Sequence, residues 1–583
     1  MSKLPKFVSV LDVKYGLFAE LDALLLHFMT ENSLEYTIDP LKNASPEQLR
    51  FMVALDEQAF YAPCSDWMFL QLLQSTLHQR LLDEYLTRWK RFFRLVRQTV
   101  ADRFLARRIL ALCLHKFRMI LPSPIIIPSR LMKRMLTIYL TQSGQDDPYR
   151  EQKRLLNRRA RDIVESPSFD RMINVCPDVQ AGCMRIEDLR FEVDFFEFQR
   201  LATLSTLPKV WNLGGFAEGV GEIEVELART AAEFEPLKRV LAPERGPLRI
   251  LYLPHQSGEL VFDLAVIRSL LRRGHRVVLA LKEGFFFEGP SFWDVEHDPV
   301  LAALLKGAHF VAEERIGKNA LLRAMRENPF VVISDGTRER LNPYRVSVTF
   351  SRAWKECDLV LAKGEPNYRR LIMTSHSFTR DVACLFRDTL GKFHLHVKPK
   401  ADWVHKFGED YISAKAGRIV EEMQRAKAAG KSVMFYSGIV GSIPGQTRVA
   451  IEIMNTFAGY LRSRLEGTFL INPAEHFEEG MDADYLMFMW EKVQRSGLLN
   501  VWRFQTDYDI EKSFTLLGRK VPPVWAGKDA TYSTGCTKEM QIALDMQKKY
   551  RELQIIGPSP EKFFRRREYG VGKFCDVAIE ETE

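Results

Sequence analysis

Nothing in this chain of 583 residues is long, apolar and free of charge. The most tempting run, Met119–Ile127 (MILPSPIII), holds two prolines and falls far short of the roughly 20 residues a membrane span needs. The start, MSKLPKFVSVLDVKYG, has no apolar signal core followed by a small-residue cleavage site. The eight cysteines (64, 113, 176, 183, 357, 384, 536, 575) are scattered and form no CxxC, which excludes a disulfide scaffold and a standard zinc knuckle. The expectation is a soluble protein with reduced thiols in a cytoplasm and no membrane contact. Internal repeats and low-complexity tracts are missing too, so a solenoid and a disordered chain are excluded. The net charge of +8 is small for this length. It hints at anionic substrates and gives no argument for nucleic acid.

What is present is the composition of an ordinary globular protein, 46% hydrophobic and 27% charged, long enough for two or three domains. Residues 1–235 read as a helical domain. Leu21–Met29, Trp67–Leu82, Arg88–Phe117 and Leu131–Leu140 carry apolar residues at three- and four-residue spacing. Arg88–Arg108 is strongly basic; it reads as a polyanion-binding or membrane-surface helix or, by default, as the solvated face of a bundle helix. Asp147 is an expected N-cap with Pro148 at the first helical position of DPYREQKRLLNRRA.

The pattern changes near Leu248. Strand-like runs at Ile250–Leu253, Arg276–Leu281, His309–Ala312, Phe330–Ser334 and Leu359–Ala362 alternate with helix-like segments. That rhythm predicts βαβ units and a parallel sheet. The fold class expected is α/β: a helical domain (1–235), a Rossmann-like parallel-sheet domain (236–408) and a C-terminal α/β extension (409–583). In such a sheet, ligands bind beyond the carboxyl ends of the strands. Residues His255, Gln256, Ser257 and Gly258 follow one such end, before a helix opening near Glu259. Lys363, Gly364 and Asn367 follow another, and Asp335 and Gly336 a third.

Several blocks, in order, resemble the damage-control phosphatase family: DPYREQKRLLNRRA, HQSGELVFDLAVI, SFWDVEHD, CDLVLAKGEPNYRRL and FHLHVKPKAD. They span about residues 147–405. The resemblance implies a Rossmann-like domain beside a helical one, and a divalent metal (Mn, Co, Ni or Mg) that binds a substrate phosphate and a water. It places the metal ligands at His255, Gln256 and Asp294, where the family has an Asp-Asn pair and an Asp; Asp298 is the alternative to Asp294. It places Gly258, Lys363, Gly364 and Asn367 on the substrate phosphate, and Lys398 or Lys400 on the transferring group. Only Asp294 keeps the family's ligand type. Two readings therefore stand: a metal-dependent phosphohydrolase acting on a small phosphorylated metabolite, and a non-catalytic binding protein with a degenerate metal site. Carboxylate methyl transfer, ascribed to part of the family, is a third.

The last region offers two glycine-containing loops before helices, Ser437–Arg448 (SGIVGSIPGQTR) and Trp525–Met540 (WAGKDATYSTGCTKEM). The first lacks the lysine and hydroxyl ending of a P-loop. Cys536 reads as a buried thiol and His476 as part of a solvated acidic turn.

Overall fold

The computed structural model describes residues 7–14, 16, 18–34, 49–55, 60–74, 77–122, 124–177, 185–212, 220–443, 446–478, 480–481 and 483–565. The chain forms two compact units, Met1–Ala401 and Asp402–Glu583. Among the described residues no helix is long and apolar enough to cross a membrane.

The first unit opens with helices whose buried faces follow the expected spacing. Gln79–Thr99 buries Leu81, Tyr85, Phe92, Leu95 and Val96 and leaves Arg80, Arg94 and Arg97 exposed. The basic stretch read as one helix is two, because Asp102 accepts the amides of Phe104 (2.8 Å) and Leu105 (3.4 Å) and starts Arg103–Ile120 afresh. The next basic helix is Arg150–Val164, two residues later than the Asp147 cap implied. Asp147 Oδ1 instead accepts the Tyr149 amide at 2.9 Å, in the turn before the helix.

A seven-stranded sheet follows, in the order β3-β4-β2-β1-β5-β6-β7. Its strands are β1 (Arg249–Leu253), β2 (Arg276–Leu281), β3 (His309–Val311), β4 (Phe330–Ser334), β5 (Leu359–Lys363), β6 (Asp381–Arg387) and β7 (Phe393–Lys398). All neighbours are parallel except β6 and β7, where Val382 faces Lys398 and Arg387 faces Phe393. The chain builds outward from β1 through β2, then returns to lay β5 on the other side of β1. The switch point of the sheet is thus between β1 and β5, just beyond Leu253 and Lys363.

Parallel strands are buried on both faces, so each needs two covers. Ile250, Tyr252, Val277, Leu279 and Leu361 share one core with Phe169, Phe198 and Phe262. Leu251, Leu253, Val278, Val360 and Ala362 share the other with Phe350 and Trp354. Successive residues of a strand point to opposite faces, which is why the two sets alternate. The helices Arg150–Val164 and Ile186–Leu204 contribute Ala160, Ile163 and Phe198 to the first core. Residues before 235 therefore cover the sheet, and the expected boundary at 235/236 is not a division between units.

The second unit holds a four-stranded parallel sheet, ordered β11-β10-β8-β9. Its strands are β8 (Ser432–Ser437), β9 (Thr468–Ile471), β10 (Val501–Phe504) and β11 (Gln554–Ile556). It begins at Asp402, against an expected 409. The glycine loop after β8 runs through positions 444–445, which lie outside the described residues, as does the tail beyond 565.

Two histidines of the first unit carry a pH dependence. His275 Nδ1 accepts the Leu248 amide at 3.0 Å, and His376 Nε2 accepts the Ala62 amide at 3.0 Å. Burial pulls each pKa down to about 4, helped by Arg273 at His275 and by Lys398 at His376. Each must stay neutral to accept, so the unfolded chain binds more protons between its ordinary 6.5 and about 4. Stability is full above that window and falls as pH drops through it, by on the order of 3 kcal/mol per histidine. The expected result is a urea midpoint for the first unit that falls steeply from pH 6.5 to 4.5, and less steeply in His275→Asn. An unchanged slope in that variant would refute this origin.

Candidate anion-binding crevice

The turn after β1 is fixed by close packing. Gly258 has φ +79°, and a Cβ there would lie 2.7 Å from Trp211 Cη2 and 3.1 Å from Leu156 Cβ. Its amide donates to Asn157 Oδ1 at 2.5 Å, and the Ser257 amide donates to the Glu288 carbonyl at 2.7 Å. Gly258 is thus turned toward the helix Arg150–Val164 and not toward a ligand.

That same helix occupies the acidic turn. Lys153, almost fully buried, donates to both oxygens of Asp294 at 2.8 Å and pairs with Asp147 Oδ2 at 2.5 Å. Ser291 adds its hydroxyl to Asp294 Oδ1 (2.7 Å) and its amide to Oδ2 (2.8 Å). Asp298 is committed as well: Oδ1 caps Pro299–Leu304 through the amides of Val300 and Leu301, and Oδ2 accepts from Asn157 Nδ2 at 2.7 Å.

Beyond β5, Lys363 points inward. Its ammonium lies 2.8 Å from Asp263 Oδ1 and 3.3 Å from Glu259 Oε2, and donates to the Ser205 carbonyl at 2.6 Å. It anchors the core and does not reach a substrate. Burial works to raise the Glu259 pKa, but Lys363 and His255 outweigh it and hold the carboxylate at about 2. His255 Nδ1 stands 3.4 Å from Glu259 Oε2. Gly364, at φ +93°, lets the His255 ring lie on the backbone; a Cβ there would be 2.6 Å from that ring. The glycine serves the histidine, where an approach to an anion was expected. Asn367 Nδ2 donates to the Lys363 carbonyl at 2.9 Å, and its side chain borders the crevice.

Lys398 and Lys400 do not come to this place. The antiparallel pairing of β7 puts them beside Val382 and Asp381, at the amino end of β6. Lys398 donates to the carbonyls of Thr374 (2.5 Å) and His376 (2.7 Å), and burial draws its pKa down to about 8.

At the switch point lies a crevice of about 80 Å³, bordered by His255, Gln256, Asn367, Arg91, Lys282, Arg340 and Glu288. That volume is several times the roughly 10–15 Å³ a single water needs, room for a phosphate-sized group. A second hollow of about 290 Å³ shares Arg340 and Pro366 with it. Arg91 comes from Gln79–Thr99, lies 3.9 Å over the Phe287 ring and pairs with Glu288. Phe287 sits at φ +54°, unusual for a bulky residue, in the loop that carries Glu288. Lys282 pairs with Asp335 at 2.5 Å, which ties the third strand end to the crevice.

Arg340 differs from its neighbours: among the described residues it has no hydrogen-bond or ion-pair partner. Burial bears most on its charge, and Arg88, Arg370 and Arg91 add to that pressure; Glu84, already held by Arg88 and Arg369, relieves it only in part. Reading the sequence did not find Lys282, Glu288 or Arg340, and it reached Arg91 only as part of the basic stretch Arg88–Arg108. The finer signal for Arg91 was that arginines 80, 88 and 91 are spaced along one helix face.

A divalent metal does not fit the residues the resemblance assigned to it. Both oxygens of Asp294 are saturated by an internal cation and Ser291, and Asp294 does not border the crevice. His255 and Gln256 do border it, but beside three cationic side chains and one carboxylate, a field that repels a dication. Among the described residues no group of three or more His, Cys, Asp or Glu is arranged to hold a metal.

The chain is thus an α/β protein whose open, mostly parallel sheet has a cation-lined crevice at its switch point. Residues 220–388 match the model of the damage-control phosphatase ARMT1-like domain, so the resemblance read from the motifs is shown for that stretch of the chain. The DPYREQKRLLNRRA helix lies before the matched residues. A DUF89 family protein from Pyrococcus horikoshii, a solved structure, is 21% identical, with 52% of this chain and 90% of that chain covered and a TM-score of 0.35. No curated protein matches.

Lys153→Met tests the helix-to-turn clasp. It leaves Asp147 and Asp294 without their cation and is expected to cost about 3–5 kcal/mol, read as the loss of stability of the first unit in urea. A variant as stable as wild type would show that the clasp is not structural.

Proposed function

We propose that the first unit is a phosphohydrolase-like domain that takes a small phosphorylated metabolite into this crevice. The phosphoryl group lies against Arg340, with Arg91, Lys282 and Asn367 around it, and the rest of the molecule extends toward the adjoining hollow. Paired cations such as Arg91–Glu288 and Lys282–Asp335 supply positioning, while Arg340, whose charge Glu84 offsets only in part, supplies the excess charge. Arginine suits this role because its planar fork presents two parallel donors to phosphate oxygens. The observation that carries the reading is Arg340: a half-buried cation among other arginines that makes no hydrogen bond or ion pair among the described residues. The match of residues 220–388 to a phosphatase family supports hydrolysis as the reaction class. That family is generally metal-dependent, and the residues present here do not fit that feature.

One experiment separates a ligand-binding cation from a structural one. Wild-type protein is expected to melt at higher temperature as inorganic phosphate or a phosphate ester is added, since a ligand that binds only the folded state stabilises it by RT ln(1 + [L]/Kd). Arg340→Met is expected to abolish that shift, while its own stability without phosphate is unchanged or higher, because a repelled charge has gone. Such a trade between stability and function is common at binding sites. A phosphate shift retained in Arg340→Met, or a strongly destabilised variant, would overturn the reading.

A further inference from the structure

We propose that His255 is a nucleophile and that phosphoryl transfer in this crevice proceeds through a phosphohistidine, with no divalent ion held by the turn. The inference rests on the reading of the crevice as a phosphate-ester site. His255 borders the crevice with Arg91, Lys282 and Arg340, and its Nε2 has no protein partner among the described residues. Its Nδ1 faces Glu259 Oε2 at 3.4 Å, and Glu259 is in turn 3.3 Å from the buried Lys363 ammonium. A carboxylate at Nδ1 keeps the proton on that nitrogen and leaves the lone pair on Nε2. It also stabilises the imidazolium that forms when Nε2 attacks, the logic of a nucleophile oriented by a third group. Gly364 makes room for the ring, because a Cβ there would lie 2.6 Å from it.

In the first half-reaction, Nε2 forms a bond to phosphorus as the bond from phosphorus to the ester oxygen breaks. The departing alkoxide takes a proton from water. In the second, water attacks phosphorus and the N–P bond breaks. Its electron pair returns to Nε2, and a proton passes from the attacking water to solvent. The sum is ester plus water giving alcohol plus inorganic phosphate, with no oxidant and no co-reactant. Arg340 and Arg91 bear the charge on the phosphoryl oxygens throughout. Glu259 is a positioning residue, because it reaches the reacting atoms only through His255, its other contact being the buried Lys363 ammonium.

The test uses the full chain, treated with EDTA and incubated with para-nitrophenyl phosphate, quenched in alkali and digested for mass spectrometry. The expected result is an acid-labile, alkali-stable phosphate on His255, turnover that EDTA leaves unchanged, and loss of both label and turnover in His255→Asn. Glu259→Gln is expected to lower kcat with KM unchanged. Turnover that persists in His255→Asn, or that disappears in EDTA and returns with manganese, overturns the proposal. The thermal shift with the same ester separates the two readings. A shift retained in His255→Asn and in wild type, with no phosphoryl-enzyme, refutes the nucleophile and leaves the binding crevice standing. No shift in either refutes both.

Discussion

The site depends on one buried ion group, the ammonium of Lys153 between Asp147 and Asp294. Through it the helix Arg150–Val164 is held to the acidic turn after β2. One helical turn later, Asn157 holds Asp298 with its amide nitrogen and the Gly258 amide with its oxygen. Residues four apart share a helix face, so two side chains clamp both turns that frame the carboxyl ends of β1 and β2. Burying such a group is worthwhile only when every lone pair and proton finds a partner. Ser291 completes Asp294, and the amides of Val300 and Leu301 complete Asp298. The clamp decides what those carboxylates do: they bind the helix and are not left over for an ion.

Once these acids are spent, the charge balance of the crevice follows. Glu288 is its one bordering carboxylate, and Arg91 already holds it. Lys282 is matched by Asp335, which burial pushes upward against the pull of that lysine. What remains is Arg340, pressed by burial and by three arginines. A protein gains nothing in folding from an arginine placed so. Uncompensated charge in a partly dry recess is the arrangement that meets charge arriving with a ligand.

The sequence made the frame legible and the site only in part. Apolar runs of strand length gave β1, β2, β4 and β5 nearly to the residue, because a strand buried on both faces is continuously hydrophobic. The turn at His255–Gln256 was found for the same reason, as the place where such a run stops. Asp294 was found too, but its partner was not: nothing local says that Lys153, 141 residues away, will take both oxygens. Lys363 read as a strand-end cation, and the apolar run before it does not disclose that Asp263 and Glu259 wait below the sheet surface. Lys398 and Lys400 were misplaced by the direction of one strand. An antiparallel β7 carries them to the far end of the sheet, and strand direction is a property of connectivity that alternation cannot reveal. Arg340 lies in a loop with no pattern at all, and only its surroundings distinguish it.

The exchange at the first turn and the charge of the crevice have one explanation. The resemblance places an aspartate and an asparagine where this chain has His255 and Gln256, so a negative charge is missing from the turn. With Asp294 neutralised by Lys153, the loss is not made good by another acid. A dication entering here would meet net positive charge and no free carboxylate, whereas a phosphoryl dianion would meet Arg340 and an imidazole whose other nitrogen is oriented by Glu259. In the function proposed above, the change from a carboxylate to an imidazole reverses the sign of the ion the turn holds. If the proposed nucleophile is right, the same substitution also supplies a nitrogen beside the phosphoryl group.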